Sequence, residues 1–197
     1  MTYLASASYL RTLALLIAIG VVAWSCGGDD DDDAPAVDAS PGAQADAGAA
    51  EDLDMKDSDF ACILDGTKVH KFFLWNPLGH LDDAVAVASS TSGGTYPVGT
   101  VIQLVPFEAM VKRAAGWSPT TADWEFFSLT VSATGTTIDA RGTKSVMNMF
   151  GGNCFECHSK AEPQWDRVCE TTHGCDPLGL SDETIEMIQN SDQRCGR

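Results

Sequence analysis

Cys154-Phe155-Glu156-Cys157-His158 is the strongest chemical signal in the chain. Cysteines three apart lie near one face of a helical turn, where both can form thioethers to one porphyrin. The adjacent histidine is then placed to ligate iron. The pattern predicts one covalent haem c, with Cys154 and Cys157 as thioether anchors and His158 as proximal ligand. Two other chemistries use such thiols. A thioredoxin-like pair needs a βαβ setting and a tuned thiolate, and nothing in the sequence supplies either. A zinc site needs further ligands, which Cys169, His173 and Cys175 could provide.

The remaining cysteines bear on the compartment. Seven are present. Arg11 precedes an apolar run from Thr12 to Trp24, too short to span a bilayer core of ~30 Å and suited to a secretory signal. The run ends at Ala23-Trp24-Ser25-Cys26-Gly27, which resembles a bacterial lipobox in which Cys26 is lipidated. Gly27 then implies sorting to the outer membrane. With residues 1–25 as signal, the mature chain is extracytoplasmic and its only membrane attachment is the lipid anchor. Four cysteines remain beyond lipid and haem: Cys62, Cys169, Cys175 and Cys195. An even remainder in an oxidising compartment predicts two disulfides. Four cysteines allow three pairings; Cys169–Cys175 with Cys62–Cys195 is favoured, closing one short loop and tying the domain ends together.

Charge divides the chain. The net charge of −16 argues against nucleic acid as a partner, because phosphate would be repelled. Residues 27–60 hold 12 acids and one base, Lys56. Residues 26–60 therefore read as a disordered acidic tether, with too little apolar surface to offset its ordering entropy. The folded domain is placed at 61–197, with 161–197 as a disulfide-stapled tail.

The elements that must position the motif read as β-rich. Residues 68–75 (KVHKFFLW) predict a strand closed by the turn 76–79. Leu81, Ala84, Val85 and Ala88 recur at helical spacing. Residues 100–106, 124–131 and 136–140 predict further strands. Residues 110–116 read as one helical turn or a loop. The expected fold is α+β: a small twisted antiparallel sheet, short flanking helices and a C-terminal haem c motif. About ninety residues of domain precede Cys154, unlike a small helical cytochrome c.

These features resemble the cytochrome P-460 family, which includes the cytochromes c′-beta. The resemblance covers about residues 68–165. It rests on NPLG (76–79), YPVGTVIQLVPFEAMVKR (96–113), DWEFFSL (123–129) and GNCFECHSKA (152–161). It implies a twisted sheet packed on one haem c, usually in a homodimer, with an open or weakly occupied distal face. Members with a haem-linked lysine oxidise hydroxylamine; members without it bind nitric oxide or carbon monoxide. Lys112 is the candidate cross-linking residue and Lys144 the second, against a solvated lysine covering apolar surface with its stem. Phe107, Phe126 and Phe127 fit a haem cap or ordinary core equally. Met147 and Met149 precede the motif closely enough to reach iron, or serve as core filler. His70, within a strand, His80, beside a turn, and His173, in a loop, read as structural. The expected function is binding or oxidation of small nitrogen compounds, with an unidentified redox partner. The alternatives are a simple electron carrier with six-coordinate haem and, more remotely, a zinc-binding lipoprotein.

Overall fold

A computed structural model describes residues 51–196. The signal segment, Cys26 and tether residues 26–50 lie outside the described residues. Among the described residues six strands form one antiparallel sheet in the order β1 to β6, each hydrogen-bonded to its neighbours in sequence. They are β1 (Thr67–Val69), β2 (Phe72–Trp75), β3 (Val101–Gln103), β4 (Glu108–Lys112), β5 (Trp124–Ser132) and β6 (Gly135–Gly142). Among the described residues three α-helices accompany them: α1 (Leu81–Ala88), α2 (Cys154–His158) and α3 (Asp182–Asn190).

Two expected elements change. The strand expected over 68–75 is a hairpin, because His70 adopts a left-handed φ of 51° and reverses the chain between β1 and β2. His70 is thus a turn residue, and its Nδ1 lies 3.0 Å from the Glu170 carboxylate. Residues 108–112, partly read as a helical turn or loop, form β4, pairing Met110 with Ile102 and with Phe126.

Period-two alternation separates two apolar layers. Trp124 and Phe126 of β5 face one side with Ile102, Met110, Leu74 and Cys154. Phe127, Leu129 and Val131 face the other with Val101, Ala109 and Val111. Met55 and Phe60 plug that second face, with the Phe60 ring edge-on to Phe127 at 5.3 Å.

The last ten residues of the expected tether are therefore part of the domain. Asp52 accepts from Arg113, Asp54 from Arg141, and Asp57 Oδ1 from the Ile138 N–H. Few apolar residues occur here, but each that does is used: Met55 is wholly buried and Phe60 nearly so. Leu53 packs beside them.

The tail is folded too. Ser181 caps α3 by accepting from the Thr184 N–H, the Ser/Thr arrangement that satisfies a first-turn donor. Buried Gln189 donates to the Lys71 and Leu104 carbonyls and fastens α3 across the sheet end. Disulfides join Cys62 to Cys195 and Cys169 to Cys175.

Candidate cofactor site

Residues 144–153 present α2 to the sheet. Asn153 is its N-cap: the side-chain oxygen accepts from the Glu156 N–H, and the amide donates to the Lys144 carbonyl at 2.7 Å. The Cys154 N–H donates to Val146 at 3.0 Å, pinning the start of the helix to a buried residue. Cys154 is buried and Cys157 exposed, and both thiols are free.

A cavity of about 560 Å³ opens beside α2, within the ~300–1,000 Å³ range of small-molecule and cofactor pockets. Cys154, Cys157 and His158 line it together. Phe126, Met110 and Ile102 supply an apolar wall from the sheet. Leu178 and Ile185 close it from the tail, so a segment beyond the residues that carry the family resemblance forms part of the site.

The protonation of His158 follows from its neighbours. Its Nδ1 lies 2.7 Å from the Arg167 carbonyl, an atom that can only accept, so Nδ1 carries the hydrogen. Burial lowers the pKa of His158, and the carbonyl contact offsets part of that. A neutral ring with Nδ1–H leaves Nε2 with a free lone pair, the form that binds a metal. The Phe126 ring supports the imidazole at 5.2 Å.

Burial pushes the Cys154 thiol up to about 12, and the charge of Glu108 adds to the effect. A thiol held protonated is a poor redox nucleophile, and the all-antiparallel sheet has no βαβ unit. Both observations count against thioredoxin-like chemistry. The suggested zinc set fares no better: Cys169 and Cys175 are bonded to one another, and His173 stacks on Trp165 at 3.8 Å.

Comparison with protein-family models, with curated proteins and with solved structures finds no match. The resemblance to the P-460 family therefore rests on the quoted motifs.

Lys112 stands elsewhere than expected for a cross-link. It does not line the cavity. Its Nζ donates to both Asp166 carboxylate oxygens at 2.8 and 2.7 Å and to the Ala122 carbonyl at 2.8 Å. Three acceptors occupy the three ammonium hydrogens, so the amine is neither solvated nor available as a nucleophile. Lys144 also lies off the cavity, 5.9 Å from the Phe155 ring centroid. Met147 and Met149 are 52% and 54% exposed and do not line it; Met110 is the methionine that does. Of the three phenylalanines weighed, Phe126 faces the cavity, while Phe127 and Phe107 pack on the opposite layer. His80 meets Glu51 at 2.9 Å, away from the site.

One residue at the site had no signal in the sequence. Glu108 lines the cavity, accepts from the Met149 N–H at 2.9 Å, and has its pKa raised by burial. Its place follows from the register of β4, which puts residues 108, 110 and 112 on one face.

Proposed function

We propose that this chain is an extracytoplasmic mono-haem c protein that binds or oxidises small nitrogen compounds such as hydroxylamine or nitric oxide. The observation that carries the reading is the convergence of two free thiols and a Nε2 lone pair on one largely apolar cavity. The donor set fits the group: two cysteines to anchor it, one neutral imidazole to ligate, and aromatic and aliphatic walls to cover it. When bound, haem supplies the redox and ligand-binding chemistry.

The chain's own residues do the rest. Cys154 and Cys157 hold the cofactor and His158 orients toward it, with Nδ1–H fixed by Arg167. Phe126 and Ile102 limit water in the cavity. Glu108 is a carboxyl that could hold or release a proton beside a small ligand. No lysine is assigned a covalent role. Two disulfides support an oxidising compartment, and lipid attachment at Cys26 remains part of the proposal.

Mass spectrometry of protein from a host with c-type maturation tests the reading. One haem should be added and retained through acid-acetone extraction; an unmodified mass refutes it. The ferrous protein should then bind nitric oxide or carbon monoxide. A second reading, six-coordinate electron carriage, draws on Met110 in the cavity wall. Failure to bind either gas in wild type, with binding restored in Met110→Leu, would establish that alternative.

A further inference from the structure

The chain that follows α2 turns back under it in an uncommon way. Residues Pro163–Trp165 form a single turn, and the backbone leaves through Asp166 at φ 47° and Arg167 at φ 66°. Two consecutive left-handed residues bearing side chains persist only where their surroundings impose that conformation. Here the surroundings are on the sheet. Lys112 grips both carboxylate oxygens of Asp166. The Tyr96 N–H donates to Oδ2 at 2.9 Å, and Trp124 Nε1 donates to the Asp166 carbonyl at 2.6 Å. Lys112, Asp166, Tyr96 and Trp124 are all buried.

What this fixes is the next peptide. The Arg167 carbonyl accepts from His158 Nδ1 at 2.7 Å. The Arg167 guanidinium donates to the Ser159 carbonyl at 2.9 Å, at the C-cap of α2. The turn is thus tied to the sheet at Asp166 and to the ligand helix at Arg167.

The geometry points to Lys112 and Asp166 as a proximal positioning pair: a buried ion pair on the sheet that holds the Arg167 carbonyl against His158 and so sets how strongly Nε2 donates to iron. The inference rests on the haem reading above. A hydrogen bond from the distant ring nitrogen raises the basicity of a ligating histidine and fixes its orientation, and it tunes the potential of the bound iron. A buried ion pair is seldom more stabilising than apolar residues of equal volume; position is what this one adds. Lys112 acts through Asp166 and Arg167, without touching the cofactor.

The test uses the full chain matured with haem. Lys112→Met/Asp166→Asn removes both charges with little change in volume, and Asp166→Asn alone weakens the grip. The readouts are the iron–histidine stretching frequency of the ferrous protein and the reduction midpoint. The double variant should keep its haem, shift the stretch downward and shift the midpoint upward; Asp166→Asn should move both the same way by less. Unchanged frequency and midpoint in both charge variants overturn the pair's role. If the double variant does not fold, unchanged signals in Asp166→Asn overturn it by themselves. A wild-type chain without covalent haem overturns instead the reading beneath.

Discussion

Asp52 and Arg113 meet through two side-by-side hydrogen bonds, Nε to Oδ1 at 2.9 Å and Nη2 to Oδ2 at 2.6 Å, across 61 residues of chain. The fork matches carboxylate geometry. Through it the N-terminal arm is held to the sheet, beside Glu125, which receives Arg113 from one side and Arg141 from the other.

That pairing predicts acid sensitivity. The Arg113 guanidinium holds Asp52 down at about 2, below the ordinary 3.8. Asp54 is lowered by Lys56 and then Arg141. Burial would raise Asp192, yet Arg194 and the Ile63 N–H hold it below its ordinary value. A carboxyl depressed in the folded state adds stability that is present above its ordinary pKa and lost as pH falls through the folded one. The melting temperature should therefore drop between about pH 4 and about pH 2, and drop less steeply in Asp52→Asn. Equal slopes for the two proteins would show that the arm is not held this way.

Glu108 predicts the opposite dependence. Burial raises its pKa from 4.5, so the folded chain binds that proton more tightly than the unfolded chain. Its contribution is present below the ordinary value and is lost as pH rises through the raised one. Glu108→Gln cannot lose it, so its denaturation midpoint should exceed that of wild type at neutral pH and match it in mild acid. A variant less stable at both pH values would refute the assignment.

The two disulfides should differ in effect. Cys62–Cys195 closes a loop of 133 residues and Cys169–Cys175 one of six. On a loop-entropy model the first contributes about 5 kcal/mol and the second about 2 kcal/mol. Cys62→Ala/Cys195→Ala should lower global stability sharply. Cys169→Ala/Cys175→Ala should cost less stability but loosen the cavity wall, detectable as faster proteolysis near residues 170–180. Equal losses of stability would contradict the entropic account.

Phe126 is buried between the sheet and the ring of His158. Phe126→Ala should cost roughly 3–5 kcal/mol in denaturant unfolding. It should also broaden the iron–histidine band of loaded protein by freeing the imidazole. A sharp, unshifted band would mean that Arg167 alone orients the ring.

Much of this was legible in the residues. The alternation over 124–131 is a clean strand signal, and the spacing of Leu81, Ala84, Val85 and Ala88 marks α1. The cysteine motif could be read because its three members are neighbours in sequence. Strand β4 was obscured because Lys112 and Arg113 look like surface residues, and the partners that allow their burial stand 54 and 61 residues away. Residues 51–60 were obscured by acidic composition; their fit depends on arginines of the sheet. Arg167 was invisible for a different reason: its contribution is a backbone carbonyl, which any residue could supply once the turn is held.

The sheet is a meander, each strand pairing with the one before it, and it is complete by Gly142. A chain emerging N-terminus first can therefore finish the cavity floor before either motif cysteine appears. The remaining wall waits for the tail, and Cys62 finds its partner only at residue 195. Local pairings form early and distant ones late. The order of emergence thus places the sheet's share of the cavity first and the tail's share, Leu178 and Ile185, last.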